Sequence, residues 1–222
     1  MKKPDITKEK AKAVFDNKYV KVFDLQYEEG KHYLDATRRS LDELTAIKSD
    51  EEVRKMIPDA VSCVVILNVK GKEPVICLTR EFRFPAGRFL LSVPAGLIDK
   101  ADIEKGDRMS TLFATAEREI CEETGIVIGP SDKMSIISPL LFSTPGMTDE
   151  SNAVVQIVLN RDTMPKMSQD GAEGTECFDG FIMLNKEEAI KTLKAGSDEN
   201  GIFFSTYTWI ALMTFVSGMW QE

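Results

Sequence analysis

The sequence is poor in cysteine, nearly devoid of histidine, short of positive charge and without an unbroken apolar run suited to a bilayer. Its four cysteines in 222 residues, Cys63, Cys77, Cys121 and Cys177, stand far apart with no Cys-x-x-Cys pair. That spacing excludes a zinc knuckle or a disulfide framework and leads us to expect a reducing cytoplasm. The net charge of −8, from 28 Lys and Arg against 36 Asp and Glu, would repel a polyanion, so nucleic acid is not an expected partner. A phosphate-bearing ligand would need divalent metal and a few placed arginines to reverse that field locally. The most apolar stretch, Gly201 to Trp220, is interrupted by Ser205, Thr206, Thr208, Thr214 and Ser217 and reads as a core helix, so no membrane is expected. The start, MKKPDITKEKAKAVF, has lysines but no apolar centre of the kind a signal peptide needs. No repeat, low-complexity tract or Gly/Ser- or Pro-rich linker divides the sequence.

What is present is a globular composition, 43% hydrophobic and 29% charged, long enough to bury a core. Lys18 to Arg39 alternates β-prone residues around a Glu29-Gly30 turn and predicts an antiparallel pair, with the lone His32 a surface residue in it. Leu41 to Met56 has weak helical spacing and is equally an exposed connection. AVSCVVILNV and PVICLTREF predict a second hairpin, and FLLSVPAGLID a short strand running into a turn punctuated by Pro94 and Gly96. Thr111 to Thr124 predicts a helix stopped by Gly125. Strands follow at MSIISPLLF, AVVQIVL and CFDGFIML, then helices near Lys186 to Leu193 and Thr206 to Phe215, which is a mixed α/β pattern.

The densest chemical signal is REICEETGI, residues 118 to 126. On a helix Glu119 and Glu123 share a face, Glu122 lies one turn from Glu119, and Arg118 lies one turn before Glu122, while Leu112, Ala116 and Ile120 mark the buried stripe. Acidic helix faces are usually only solvated. Carboxylates converging on one point, however, suit hard Mg²⁺ and the polarisation of a diphosphate.

The order of residues adds more. REICEETGI matches the second half of the Nudix box, RE-U-x-EE-x-G-U with U aliphatic, at every fixed position. Arg83 in REFRFP resembles the QYRYP strand end of the ADP-ribose pyrophosphatase branch, SVPAGLID resembles ELPAGxID, and STPGMTDE at 143 to 150 resembles SPGxSDE. The resemblance to that branch of the Nudix family implies an α/β (α+β) fold with a mixed β-sheet sandwiched between helices. It also implies an N-terminal antiparallel hairpin extension over residues 1–57, serving dimerisation, ahead of a hydrolase domain over 58–222. The implied activity is Mg²⁺-dependent (or Mn²⁺-dependent) hydrolysis of a nucleoside diphosphate sugar, ADP-ribose to AMP and ribose 5-phosphate, by a homodimer. Alternatives are another nucleotide sugar or a dinucleotide, or a sensor that binds a nucleotide without cleaving it.

By resemblance, Glu119, Glu122, Glu123 and the main-chain carbonyl of Ala95 hold metal, and Arg118 holds a glutamate in place. Arg83, Pro145 and Gly146 meet the substrate, and the base comes from the loop DGAEGTE, as Glu173 or else Glu176. Two departures stand out. Gly96 lies 22 residues ahead of Arg118, eight more than the box has. Ser110 then occupies the position of its first glutamate, leaving Glu104 or Asp107 of the insertion as replacements. The second departure is Ser92, where the branch often has glutamate.

Overall fold

A computed structural model describes residues 4–171 and 176–221 and divides the chain into two units, Met1–Asp59 with Leu140–Asn152 and Ala60–Pro139 with Ala153–Glu222. In the first, strands β1 (Ala11–Asp16), β2 (Lys21–Glu28) and β3 (Lys31–Thr37) form an antiparallel sheet in that order. The expected hairpin is β2–β3, closed at Gly30, whose φ of 70° lies in the left-handed region that favours glycine. β1 escapes a pattern search because only Ala11 of AKAVFD is buried, so no alternation marks it. Phe23 and Leu25, two residues apart on one face, pack with Ala11 and Leu44 into a small core. Leu41 to Met56 resolves into two short 3-10 turns and the helix α1 (Asp50–Lys55), started by a Ser49/Glu52 capping box. Arg39 ties together the two segments of this unit, with ion pairs to Asp59 at 2.9 Å and Asp149 at 3.4 Å.

The second unit carries β4 (Ala60–Val69), β5 (Val75–Arg83), β6 (Arg88–Ser92), β7 (Ala95–Leu97) and the helices α2 (Lys100–Ile103) and α3 (Arg108–Thr124). Then come most of β8 (Lys133–Phe142) and of β9 (Ser151–Arg161), and all of β10 (Phe178–Leu184), α4 (Lys186–Ala195) and α5 (Thr206–Ser217). Seven strands share a mixed sheet ordered β10-β5-β4-β9-β8, with β6 paired to β5 and β7 to β4. Val61, Cys63, Val65 and Leu67 of β4 and Ala153, Val155, Ile157 and Leu159 of β9 face Leu112, Ala116 and Ile120 of α3. The intervening residues Val64, Ile66 and Val154 are buried as well, and α5 packs on β4, β5 and β6, so helices cover both faces. This α+β arrangement is the one expected. α5 is 12 residues long, and among the described residues no helix is long and apolar enough to cross a membrane.

Candidate active site

The helix α3 begins three residues earlier than its spacing predicts because Asp107 caps it, accepting from the Ser110 N–H at 2.9 Å. It ends at Gly125, whose φ of 68° closes the last turn through a bond from its N–H to the Cys121 carbonyl. With Leu112, Ala116 and Ile120 fully buried against the sheet, helical geometry turns the neighbouring stripe of Glu119, Glu122 and Glu123 toward β7. Glu119 is 4% exposed and Glu123 3%, so these are buried carboxylates, unlike those of a solvated acidic face.

The Pro94–Gly96 turn is built against them. The Ala95 N–H donates to Glu123 Oε1 at 3.0 Å, while β7 pairs through Ala95 with Ser62 of β4. A methyl group on Gly96 would overlap the Glu119 carboxylate. Glycine is required there for close approach rather than for an unusual φ.

Arg118 is the hub. Its guanidinium donates to Glu119 Oε1 at 2.7 Å, Glu122 Oε2 at 2.9 Å, the Leu97 carbonyl at 2.9 Å and Asp102 Oδ2 at 2.9 Å. Burial works against its charge, but Asp102 and Glu119 more than offset this and hold it protonated. Asp102 comes from the insertion, is 4% exposed, and also accepts from Thr115 Oγ1 at 3.0 Å. Asp102 is thus the insertion's carboxylate that meets Arg118, rather than Glu104 or Asp107. Asp107 is occupied as the helix cap and accepts from the Ser110 hydroxyl, and Glu104 is an exposed residue ending α2. Asp102 escaped the sequence reading because its link to Arg118 depends on α2, a four-residue helix set by an Asp99/Asp102 capping box.

At the end of β5, Arg83 is half-exposed and its Nη2 lies 2.6 Å from Glu81 Oε2. Glu81 is a second residue that the sequence reading missed. Glu176 lies within the electrostatic reach of Glu119, Glu123 and Glu81, and the neighbouring Cys177 carbonyl accepts from the Phe82 N–H at 2.8 Å. Glu173, the first expectation for the base, lies outside the described residues. In the first unit, Pro145 and Gly146 sit in a loop closed by the Ser143 N–H to the Glu150 carbonyl, and the Gly146 carbonyl accepts from the Tyr33 hydroxyl at 2.6 Å.

Burial pushes Glu119 up to about 7, with Arg118 opposing and Glu122 and Glu176 adding repulsion. Burial raises Glu123 further against the Ala95 N–H, and Glu81, Glu119 and Glu176 add to it. Burial also raises Glu81, countered by Arg83 and the Ser92 hydroxyl. Among the described residues no three His, Cys, Asp or Glu side chains converge as a metal cluster, since Arg118 holds Glu119 and Glu122 and the Ala95 N–H holds Glu123. The donor set nevertheless fits a hard divalent cation. Glu123 Oε2 is buried without a hydrogen-bond partner, and a cation would offset the burial, and the lesser repulsion between carboxylates, that raises Glu119 and Glu123.

The NUDIX domain family matches residues 56–201. An ADP-ribose pyrophosphatase of Saccharomyces cerevisiae is 30% identical over 143 residues, which cover 62% of this chain and 57% of that protein. An ADP-sugar pyrophosphatase of Mus musculus is 28% identical over 137 residues, covering 62% and 57%. An uncharacterized Nudix hydrolase of Schizosaccharomyces pombe is 30% identical over 145 residues, covering 62% and 63%. The chain thus spans about three fifths of the length of the curated relatives it matches.

Proposed function

The chain belongs to the NUDIX domain family, and from that premise we propose that it is a divalent-metal-dependent pyrophosphohydrolase of nucleoside diphosphate sugars, with ADP-ribose its substrate. One observation carries this reading: three glutamates and an arginine on one stripe of α3 face a turn whose glycine lies against a carboxylate. The family's reliance on divalent metal and the names of the yeast and mouse relatives support the metal and the substrate class.

Glu119, Glu122, Glu123 and the Ala95 carbonyl would hold Mg²⁺ or Mn²⁺, which when bound neutralises charge developing on the diphosphate. Arg118 keeps Glu119 and Glu122 in register while Asp102 restrains its other edge. Arg83 presents a planar fork to a phosphate oxygen. A water oxygen attacks one phosphorus, and its proton passes to Glu173 or Glu176. The bridging P–O bond breaks, leaving AMP and ribose 5-phosphate. The exposed Val14, Phe15, Tyr33 and Leu34 on β1 and β3 suit the expected homodimer, and a cytoplasmic site of action agrees with the unpaired thiols.

The non-cleaving sensor drew its support from the absent box glutamate at Ser110. Asp102 weakens it by returning a carboxylate to Arg118. The test is turnover of a panel of nucleotide sugars and dinucleotides with Mg²⁺, products identified by chromatography. AMP and ribose 5-phosphate from ADP-ribose support the reading, and an intact panel overturns it.

A further inference from the structure

Glu81 and Ser92 stand on neighbouring strands, and each departs from the pattern it resembles. QYRYP has glutamine where REFRFP has Glu81, and ELPAGxID has glutamate where SVPAGLID has Ser92. The β5–β6 register pairs Thr79 with Ser92 and Glu81 with Leu90, so Glu81 and Ser92 are diagonal neighbours on one face of the sheet. Ser92 is 2% exposed, and the Glu81 side chain is 12% exposed.

A buried carboxylate needs a partner. For Glu81 it is Arg83, two residues along the same strand and thus on the same face, at 2.6 Å. A guanidinium offers several donors in a plane, so an edge taken by Glu81 leaves others for an oxyanion, and the Arg83 side chain is 44% exposed. Glu81 also interacts with Glu123 and Glu176, which puts this pair at the border of the acidic cluster.

On the diphosphate reading above, we infer that Glu81 on β5 supplies the carboxylate that Ser92 does not supply on β6, and that it is a positioning residue holding Arg83 for a substrate phosphate. Glu81 lies on the same face as Ser92, as its diagonal neighbour. An arginine restrained in advance loses less freedom on binding, so the effect falls on ground-state affinity.

The test uses the full chain with Mg²⁺ and α,β-methylene ADP, a nucleoside diphosphate whose bridge resists hydrolysis, with affinity read by calorimetry beside KM and kcat for ADP-ribose. Glu81→Gln, nearly the same shape, is expected to weaken the probe about tenfold and raise KM by a similar factor with a smaller change in kcat. The double variant Glu81→Gln/Ser92→Glu, which restores a carboxylate from the other strand, is expected to recover to within about threefold of the parent, a rescue that repair of general packing would not produce. A parent that binds while Glu81→Gln matches it, or a double variant that stays as weak as the single, overturns the role of Glu81 alone. A parent that neither binds the probe nor turns over any nucleotide sugar overturns the diphosphate reading and this role with it.

Discussion

Asp102 Oδ2 receives the Arg118 guanidinium at 2.9 Å, tying the insertion between the glycine turn and α3 to the carboxylates of the site. The same guanidinium holds Glu119 and Glu122, so Asp102 acts on them at one remove. Asp102→Asn keeps the shape but removes the charge. It is expected to lower Mn²⁺ affinity, read by electron paramagnetic resonance, about tenfold or more, with Asp102→Glu recovering part of the loss. Unchanged Mn²⁺ affinity in Asp102→Asn would reduce the pair to a local restraint of α2.

Gly96 is the point at which backbone meets carboxylate. A methyl there must push the Glu119 side chain aside, which the chain can accommodate without unfolding because the obstacle is the end of a side chain. Gly96→Ala is therefore expected to keep its circular dichroism spectrum and lose about tenfold or more in divalent-metal affinity. Calorimetric Mg²⁺ titration checks this, and parental affinity would show that Glu119 has no part in holding metal.

Gly171 tests the loop that leads toward Glu173 and Glu176. A Cβ on it would lie 2.5 Å from the Glu122 carbonyl oxygen and 3.0 Å from its Cα, backbone atoms that cannot swing away, so the loop itself must shift. Gly171→Ala is expected to lower kcat about tenfold with metal affinity nearly unchanged. A parental kcat would separate this loop from the chemistry.

The legible parts were those with a period. REICEETGI could be placed on a helix because three- and four-residue spacings put its carboxylates on one stripe, and Leu112, Ala116 and Ile120 marked the core-facing one beside it. The strands at β4, β5 and β9 announced themselves by β-branched residues, and β10 by the apolar FIML that ends it. β1 did not, because its residues after Ala11 are all exposed. Asp102 and Glu81 were hidden for another reason. Asp102 meets Arg118 through a four-residue helix that no sequence period marks, and Glu81 comes beside Ser92 only through the β5–β6 register, although its partner Arg83 lies two residues along the same strand. Asp107 misled because an aspartate ahead of a helix serves as a cap as readily as a ligand.

Asp35 links pH to the stability of the first unit. Burial, reinforced by the Asp149 charge, raises it to about 6 from the usual carboxylate value of 3.8. The folded state keeps its proton to higher pH than the unfolded chain does, so this residue's contribution is full below about pH 4 and is lost as pH rises through about 6. Asp35→Asn is expected to remove that fall, read as the difference between urea midpoints at about pH 4.5 and about pH 7 in variant and parent. Equal pH differences in the two would contradict it.

The most direct measurement is turnover of ADP-ribose with excess Mg²⁺ by the parent and by Glu123→Gln, which keeps the size of a 3% exposed side chain and removes its charge. The parent is expected to release AMP and ribose 5-phosphate, and the variant to lose about a thousandfold or more in kcat/KM. An inactive parent, or a variant as active as the parent, would contradict it.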